Sequence, residues 1–399
     1  MKTKLAVIFG GKSVEHEISV ISALQAIENL NREKYDVIPV YISKNGDMHT
    51  GEALLLSEEY RSIPALLKKC VKVTFASDGG RVSLVRCPAK KLGKNTLCEI
   101  DVAFPIVHGT NVEDGALQGY LKTLGIPFVG CDVLASAVGM DKYVMKAMLN
   151  DGGFPVLPGL RFSKNGRNND AFIEKIEEKI AYPVIVKPVN LGSSVGISVA
   201  GDRAALERAL NEAFTYADTV IVERAIVNLR EINCSVVGDA SYAEASECEE
   251  PFMCDEILSY KDKYMSGGSK GSKSGGSKGM ASLKRKVPAD ISPELREKVR
   301  TMAVDAFKWL GCNGVSRIDF MIDNDSGELF INEFNTIPGS LSFYLWKPLG
   351  LSYTQLLDKL ISLALKRQRE REEITFSFDT NILAMGAPTG AKGAKGAKQ

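Results

Sequence analysis

A predicted β-hairpin spanning residues 315–335 carries the side chains best suited to chemistry. Alternate residues of a strand share a face, so Arg317 lies beside Asp319 on one strand, and Glu333 lies beside Asn335 on the other. If the register brings both pairs to one face, two carboxylates, an amide oxygen and a guanidinium converge. Such oxygen atoms suit Mg²⁺ bound to nucleotide phosphates, and a fixed arginine suits an anionic transition state.

An exposed hairpin with surface salt bridges is the competing interpretation, because charged side chains are common on hairpins. For the two carboxylates alone, both interpretations carry similar weight. The segment Asn335-Thr-Ile-Pro-Gly339 follows the acidic strand directly. A strand that simply ends at the surface does not need this particular sequence after it, so the segment favours a functional site.

A lysine and a glycine-rich loop in the middle of the chain are typical of phosphate binding. Lys187 ends an apolar strand, and the loop Gly192-Ser-Ser-Val-Gly196 offers backbone N–H groups and two hydroxyls to an anion. The loop is not a Walker P-loop, since GxxxxGK[ST] is absent, and an ordinary hairpin turn is the alternative. Gly10-Gly11 lacks the GxGxxG spacing of a dinucleotide site, so NAD binding is not predicted.

Two of the three histidines, His16 and His108, lie in loops after predicted strands. Open α/β sheets place ligands at such loops. Taken singly, each histidine is more typical of a structural residue than of a catalyst. Glu15, at the entrance of a predicted helix, is equally consistent with a first-turn charge that complements the helix dipole.

The composition excludes several classes of protein. The chain has 399 residues, 45% apolar and 25% charged, which indicates two or three globular domains. A formal charge of +1 gives no overall attraction to nucleic acid, and no apolar run approaches the ~20 residues that span a bilayer. The eight cysteines form no CxxC pair, which is typical of reduced thiols. We therefore expect a cytoplasmic protein with no nucleic-acid partner and no membrane insertion.

The elements that must position these residues alternate between strand and helix. Residues 1–130 are predicted to form a parallel α/β domain, with strands at 5–9, 35–42, 101–107 and 125–130. A helix is predicted over 136–149, and a small α/β unit follows it. The last block contains a helix that begins at Ser292-Pro293, the hairpin, and a helix capped by Ser352 and Gln355.

Domain boundaries follow from these blocks and from two low-complexity tracts. We expect domains at 1–130, 131–223 and 224–380, the last with a flexible insert at 266–279. The insert is almost wholly Gly, Ser and Lys, and the tail at 381–399 repeats Gly-Ala-Lys. Such sequences cannot bury apolar surface, so the insert is expected to be mobile and the tail disordered.

In their order along the chain, these segments resemble the D-alanine–D-alanine ligase family. The resemblance runs from residue 4 to about 366 and rests on eight motifs: Gly10-Gly-Lys-Ser-Val-Glu-His-Glu17, Val107-His-Gly-Thr-Asn-Val-Glu-Asp-Gly115, Met140-Asp-Lys142, Val184-Ile-Val-Lys-Pro188, Gly192-Ser-Ser-Val-Gly196, Lys263-Tyr264, Ser316-Arg-Ile-Asp319 and Glu333-Phe-Asn335 to Gly339. Any one of them is modest evidence, whereas eight in the right order are strong evidence.

The resemblance implies an α/β protein with the three-domain ATP-grasp fold, in which ATP lies between the middle and final domains. It implies phosphate contacts from Lys142, Lys187 and Lys263 and a phosphate-covering loop that contains Ser194. Glu223 and Glu231 would accept hydrogen bonds from adenine and ribose. Two Mg²⁺ or Mn²⁺ ions would be held by Asp319, Glu333 and Asn335.

For the amino acids, the resemblance implies a second set of residues. Glu15 would bind the ammonium of the first amino acid, with Ser193 and Tyr264 joined to it by hydrogen bonds. His108 would lie near the first carboxylate, Gly339 would line the substrate site, and Arg317 would stabilise the tetrahedral adduct. The implied reaction joins two D-alanines through an acyl phosphate, with ADP and phosphate released, for peptidoglycan precursors. A homodimer is also implied.

The chain departs from the family pattern in two places. The Gly/Ser/Lys tract follows Tyr264 closely, where the family has a compact lid. Phe343-Tyr344 stands where the family usually has a serine that binds the second carboxylate. A D-alanine–D-serine ligase or another carboxylate–amine ligase therefore remains an alternative, while Tyr264 argues against D-lactate as the acceptor.

A non-catalytic nucleotide-binding protein that touches nucleic acid through its lysine-rich tracts is the alternative from another class. The near-zero net charge and the full set of metal and phosphate ligands weigh against it.

Overall fold

The structure is a computed structural model that describes residues 2–165, 169–192, 195–251 and 285–377. Ser193, Ser194, Lys263 and Tyr264 lie outside the described residues, as do the tracts 266–279 and 381–399. The described residues form three β-sheets with helices packed against them. This is the mixed α/β arrangement predicted from the sequence.

The first sheet has seven strands and a parallel centre. Its strands are β1 (Thr3–Gly10), β2 (Tyr35–Ile42), β3 (Met48–Thr50), β4 (Val71–Asp78), β5 (Arg81–Arg86), β6 (Thr96–Ile100) and β7 (Val102–Pro105). β1 lies between β2 and β7 and is parallel to both. β3 to β6 extend β2 as an antiparallel meander, which the sequence analysis did not predict. β4 and β5 are joined by Gly79-Gly80, both with positive φ, and so tight a connection permits only an antiparallel hairpin.

Three helices accompany the first sheet: α1 (His16–Asn29), α2 (Ile63–Lys68) and α3 (Ala116–Leu124). The first sheet with these helices is called the first block. Ala23 and Ile27 of α1 are buried in one core with β1. Residues 125–130 do not form the predicted strand, because only Phe128 pairs, through an isolated parallel bridge to Ala103. The parallel centre of the sheet is therefore β7, β1 and β2.

The helix predicted over 136–149 is two helices, α4 (Val133–Met140) and α5 (Lys142–Asp151). Asp141 separates them in an extended conformation, and its side chain accepts hydrogen bonds from the backbone N–H of Tyr143 and Val144. An aspartate that caps a new helix in this way ends the preceding one. The cap places Lys142 in the first turn of α5.

The second sheet is a small antiparallel unit. Its elements are β8 (Gly159–Ser163), α6 (Asn169–Lys179), β9 (Val184–Pro188), β10 (Ser198–Ala200), α7 (Arg203–Tyr216) and β11 (Thr219–Arg224), with strand order β10-β9-β11-β8. α6 and α7 share a core with its strands. The second sheet with these two helices is called the second block. The loop 189–197 leaves this sheet between β9 and β10.

The third sheet is antiparallel, with strand order β14-β13-β12-β15-β16. Its elements are β12 (Leu229–Gly238), β13 (Ala243–Pro251), β14 (Arg285–Lys286), α8 (Pro293–Trp309), β15 (Gly314–Asp323) and β16 (Glu328–Asn335). Ser292 caps α8 by accepting from the backbone N–H of Leu295, as its position before Pro293 predicted. Cys131, Ala135 and Met145 share the core between this sheet and α8.

The third sheet with α8 is called the third block. A final helix, α9 (Tyr353–Glu372), joins it to the first block. The predicted capping box is present: Gln355 donates its backbone N–H to Ser352 and accepts from the Ser352 N–H. Leu356, Leu357 and Leu360 are buried in the core of the first sheet. None of the described helices is long and apolar enough to cross a membrane.

Candidate active site

The hairpin of β15 and β16 brings the predicted charged residues to one face of the third sheet. Arg317 lies opposite Asn335, and Asp319 lies opposite Glu333. Residues directly opposite each other in an antiparallel pair point to the same side. Ile318, between them in sequence, points the other way into the core with α8. The convergence expected from the sequence is therefore present.

Arg317 forms a two-point ion pair with Asp319. Its Nε and Nη2 each lie 2.6 Å from a carboxylate oxygen. Asn335 Nδ2 donates a further hydrogen bond to Asp319 at 3.0 Å. Burial raises the pKa of the Asp319 carboxyl to about 7, with Arg317 acting in the opposite direction. These contacts hold the guanidinium in one orientation, as stabilisation of a developing oxyanion requires.

The oxygen donors of this face fit a magnesium–nucleotide complex. Carboxylate and amide oxygens, as in Asp319, Glu333 and Asn335, are the donors that Mg²⁺ prefers. Among the residues that the structure describes, no group of three or more His, Cys, Asp or Glu could hold a metal ion by itself. An ion at this face would therefore complete its coordination with phosphate oxygens and water, which is usual for Mg²⁺.

Asn233 and Glu249 extend this polar face across two more strands, and the sequence analysis missed both. Asn233 of β12 lies opposite Asp319, and Glu249 of β13 lies opposite Asn233. Asn233 Nδ2 donates to Glu249 Oε1 at 3.1 Å. A signal existed, because β13 carries four glutamates, but the register that selects Glu249 among them was not visible.

Buried lysines form the end of the site beside β16. Glu223 is fully buried and pairs with Lys146 and, at 2.9 Å, with Lys187. Lys187 Nζ also lies 3.3 Å from Asn332 Oδ1. Burial would raise the pKa of Glu223, but the two lysines lower it to about 2. Cations concentrated in this way are suited to phosphates.

Lys142 and Lys146 enter this cluster from the same helix face. Lys142 Nζ donates to the Leu191 carbonyl at 2.7 Å and lies 3.9 Å from Glu333 Oε2. Burial lowers the pKa of both lysines, that of Lys146 to about 8. Lys146 was missed by sequence reasoning, although its i+4 spacing from Lys142 was a usable signal.

Glu15 lies where the first and second blocks meet. It precedes α1, and its backbone N–H donates to Ser13 Oγ at 3.0 Å. Its carboxylate is so close to two glycines that a Cβ added to Gly192 would stand 2.7 Å from Oε2, and one added to Gly109 would stand 3.0 Å from it. Glu15 is therefore cradled by the glycine-rich loop and the loop that contains His108.

His108 is buried and bonded through both ring nitrogens. Nδ1 lies 2.9 Å from the Ile337 carbonyl, and Nε2 lies 3.0 Å from Ser22 Oγ. A carbonyl only accepts, so Nδ1 carries the proton and Nε2 accepts from Ser22. Burial lowers the pKa of His108 to about 4, so the ring is neutral at physiological pH. His16 is likewise bonded, to Gly11 O and Tyr41 OH, which supports its structural interpretation.

Glu113 ties the same loop to the exit of β16. Its carboxylate accepts from the backbone N–H of Gly109 and of Ile337, each at 3.0 Å, and from Thr336 Oγ1 at 3.4 Å. Burial raises the pKa of Glu113 to about 8. Sequence reasoning treated this residue only as part of a motif. The contacts give it a definite place, as a link between the first and third blocks.

Gly339 begins a segment of tight turns, Gly339–Leu345, that packs against the third sheet. Ser340, Leu341 and Ser342 all have φ near +51°, a region that L-residues rarely adopt. Ser340 is held there by Ser22, which accepts from its N–H at 3.1 Å, and by Gln25. Contacts of this kind maintain a strained backbone, so they also fix the position of Tyr344 at the end of the segment.

Tyr344, in this segment, is bound to Glu249 and Arg285. Its hydroxyl donates to Glu249 Oε1 at 3.0 Å, and the Arg285 guanidinium lies 4.1 Å from its ring centre. Arg285 also donates to Glu249 Oε2 at 2.9 Å. The polar face thus continues to β14, at the opposite edge of the sheet from the lysines.

Of the remaining predicted residues, the structure describes Glu231. Glu231 lies on β12, two residues before Asn233 and therefore on the same face, and is half-buried. Ser193, Ser194, Lys263 and Tyr264 are outside the described residues, so their predicted roles stay predictions. The described residues bring together the lysines, the acidic hairpin, Arg317 and the Glu15 cradle.

Buried lysines beside an acidic hairpin, in a fold of three sheets, are typical of a nucleotide-dependent enzyme of the α/β class. Two family models match the chain: that of the D-ala D-ala ligase N-terminus over residues 4–131, and that of the D-ala D-ala ligase C-terminus over residues 148–362. Together they cover most of the chain. The chain belongs to the D-alanine–D-alanine ligase family.

Individual relatives agree with the family models. The chain is 38% identical to a D-alanine–D-alanine ligase from Thermosipho melanesiensis, over 95% of this chain and 98% of the relative. It is also 38% identical to D-alanine–D-alanine ligase A from Escherichia coli, over 92% and 96%.

Solved structures of the ATP-grasp type share the fold. The D-alanine–D-alanine ligase of Coxiella burnetii matches with a TM-score of 0.75 and 29% identity, over 93% of this chain and 96% of that one. The VanG D-Ala:D-Ser ligase of Enterococcus faecalis matches with a TM-score of 0.75 and 33% identity, over 91% and 100%.

Proposed function

We propose that this protein joins two D-alanine molecules into D-alanyl-D-alanine, with cleavage of ATP to ADP and phosphate, for peptidoglycan precursors. The observation that carries the proposal is the single face on which Arg317, Asp319, Glu333 and Asn335 converge beside the buried lysines. Membership of the ligase family supports the choice of substrates.

In the first half of the reaction, the carboxylate of the donor D-alanine attacks the γ-phosphorus of ATP. Both reactants are anionic, so positive charge must lie between them. Lys142 of α5 and Lys187 of β9 would supply that charge, and bound Mg²⁺ would screen the phosphates from the side of Asp319, Glu333 and Asn335. The products are an acyl phosphate and ADP.

In the second half, the neutral amine of the acceptor attacks the carbonyl carbon of the acyl phosphate. Negative charge develops on the carbonyl oxygen, and Arg317, held by Asp319, would stabilise it. The adduct then collapses and phosphate leaves. Water must be excluded in this half, because it would hydrolyse the acyl phosphate.

The donor amino acid would lie at the Glu15 cradle. The Glu15 carboxylate is suited to an ammonium group, and we place Ser193 and Tyr264 beside it on the strength of the family resemblance. His108 is neutral and both of its ring nitrogens are bonded to other residues, so it would shape the pocket near the donor carboxylate rather than contact it as a charge. Gly339 would line the same pocket.

The nucleotide would lie between the second and third sheets. Lys263 and the loop residue Ser194 would contact its phosphates, as the resemblance implies, and Glu231 its ribose. Glu223, whose two oxygens each pair with one lysine, would accept from the adenine amine through a remaining lone pair.

ADP release with amino acids supplied singly and in pairs tests this function. Purified protein with Mg-ATP is given D-alanine, L-alanine, D-serine or D-lactate, and each product is weighed by mass spectrometry. D-alanine alone should support ADP release and yield D-alanyl-D-alanine, and L-alanine should not. Absence of D-alanine-dependent ADP release from folded, ATP-binding protein would refute the proposal.

D-serine as acceptor is the second candidate. The similarity to the VanG D-Ala:D-Ser ligase favours its inclusion. The paired assay separates the two, since a mixed D-alanyl-D-serine product would displace D-alanine as the acceptor.

We further propose that the protein is a cytoplasmic homodimer. The family resemblance supports this assembly, and cytoplasmic ATP and amino acids are the substrates that the reaction needs. Light scattering of the purified protein would measure the mass, and a monomeric mass would refute the dimer.

A further inference from the structure

The third sheet arranges the groups of the site in a line. From one edge to the other its strands run β16, β15, β12, β13 and β14. Glu333, next to Lys142, lies on β16, Arg317 on β15, Glu249 on β13 and Arg285 on β14. Neighbouring strands are ~4.8 Å apart, so the two edges lie well over one amino acid's length from each other.

The second half of the reaction needs three groups in the same order across the site. The carbonyl carbon lies between the phosphate that leaves and the amine that attacks. With phosphates at the β16 edge and the carbonyl oxygen at Arg317, the acceptor approaches from the side of β13 and β14. This step rests on the proposed function, because it takes the roles of the lysines and Arg317 as given.

A cavity lies at that edge of the sheet. It has a volume of about 530 Å³ and is lined by Arg285, Val287, Tyr344, Lys347 and Pro348. That volume is within the range of small-molecule sites. Of the two cations in its wall, Lys347 is exposed and Arg285 is largely buried, with 11% of its side chain exposed.

The position of Arg285 is fixed by its neighbours. Glu249, whose side chain is 3% exposed, accepts from Arg285, Tyr344 and Asn233. The Tyr344 ring lies against the guanidinium at 4.1 Å, in the geometry of a cation–π contact. A guanidinium presents a rigid planar set of donors, which matches a carboxylate.

We propose that Arg285, positioned by Glu249 and Tyr344, binds the carboxylate of the acceptor amino acid. Tyr344 then closes the acceptor subsite in place of a small hydroxyl residue and limits the size of the acceptor's side chain. Arg285 and Tyr344 are thus specificity-determining residues for the second substrate, and Glu249 is a positioning residue that acts through them.

The test compares two nucleophiles with the same acyl phosphate. D-alanine as acceptor has a carboxylate, whereas hydroxylamine has none and traps the acyl phosphate as a hydroxamate. Arg285→Gln should raise the KM for acceptor D-alanine by roughly 10- to 100-fold, the effect of one charge-assisted contact. Hydroxamate formation from ATP and donor D-alanine should stay within about twofold of wild type, since that reaction bypasses the contact.

Lys286→Gln is the matched control. Lys286 is the next residue of β14, and its exposed side chain pairs with Asp290 at 2.8 Å. Lys286→Gln removes one positive charge, as Arg285→Gln does, and it should change neither dipeptide formation nor hydroxamate formation. Equal effects of both variants on the acceptor KM, or an unchanged KM in Arg285→Gln, would overturn the proposal.

Tyr344→Phe provides a second, milder variant should Arg285→Gln fail to fold. It keeps the ring against Arg285 but removes the hydrogen bond to Glu249, so the acceptor KM should rise several-fold while hydroxamate formation persists. Loss of both reactions in parallel would contradict an acceptor-specific role. If wild-type protein forms neither hydroxamate nor dipeptide, the proposed function fails. If it forms both and the variants match it, only the present proposal fails.

Discussion

At the scale of single residues, the site depends on how Arg317 is held. Both of its bonded nitrogens face Asp319, and Asn335 completes the arrangement. A lysine cannot reproduce a planar two-point contact, although it keeps the charge. Removing the side chain altogether would leave Asp319 buried without its partner, which costs about 3–5 kcal/mol of stability. Lysine is therefore the more informative substitution.

Arg317→Lys should lower kcat by about 10²- to 10³-fold, the effect of losing one oriented oxyanion donor. The Kd for ATP should change by less than about threefold, because Lys142 and Lys187 are untouched. Steady-state kinetics and calorimetric titration with a non-hydrolysable ATP analogue measure the two quantities. Arg224→Lys, which affects an ion pair with Asp323 at the far end of the hairpin, is the control. A kcat within threefold of wild type would remove Arg317 from the chemistry.

Some of the site residues could be predicted from the sequence alone, and others could not. Arg317, Asp319, Glu333 and Asn335 were predictable because strand alternation fixes their face. Lys146 was missed: its spacing from Lys142 indicated a shared helix face, but its burial beside Glu223 depends on how the second block packs against α5. Glu223 itself was assigned to adenine from resemblance, and its pairing with two lysines became visible only in three dimensions.

At the scale of elements, two loops and a helix start meet at Glu15. The glycine-rich loop comes from the second sheet, the His108 loop from the first, and Glu15 precedes α1. A glycine at 192 is required by contact rather than by backbone angle, because an added Cβ would stand 2.7 Å from Glu15 Oε2. The carboxylate can move, so the added methyl would displace it rather than unfold the chain.

Gly192→Ala should raise the KM for the donor D-alanine by roughly tenfold, since displacement weakens one charge-assisted contact. Its free energy of unfolding should remain within about 0.5–1 kcal/mol of wild type, the usual range for a change that opens no cavity and buries no charge. Gly201→Ala is the matched control, because no atom lies within 4 Å of its added Cβ. Kinetics and urea unfolding give both numbers. An unchanged KM would show that Glu15 does not bind the donor.

Elements with strong local signals were predicted well, and others were not. The caps of α8 and α9 and the hairpin of β15 and β16 follow from local sequence. The helix break at Asp141 was missed because an aspartate within an apolar periodic pattern can also lie inside a continuous helix. The face chosen by Glu249 depends on a register shift between β12 and β13, which no local pattern reveals.

At the scale of the whole molecule, the first and third blocks are joined through buried polar contacts as well as through α9. His108 bonds to the Ile337 carbonyl, and Glu113 accepts from the Ile337 N–H. The link requires a neutral His108, because burial lowers its pKa to about 4. In the unfolded chain the ring has its usual pKa of 6.5. Between these values the unfolded chain binds more protons, so stability falls as pH falls from 6.5 to 4.

His108→Gln should remove part of this pH dependence. Between pH 7 and pH 5, the variant should lose about 2 kcal/mol less unfolding free energy than wild type, as the shift in pKa dictates. Urea unfolding at both pH values measures the difference. Ser22→Ala, which removes a hydrogen bond to the ring but no titrating group, should keep the wild-type dependence on pH. An unchanged dependence in His108→Gln would show that the buried ring does not titrate in this way.

The proposed mechanism predicts that the donor carboxylate is phosphorylated before the peptide bond forms. D-alanine labelled with ¹⁸O in both carboxylate oxygens tests it directly, with the released phosphate analysed by mass spectrometry. Because one donor oxygen becomes the bridge to phosphorus and leaves with it, each phosphate should carry one ¹⁸O atom. Unlabelled phosphate would show that ATP is cleaved by water and that no acyl phosphate forms, which would contradict the account.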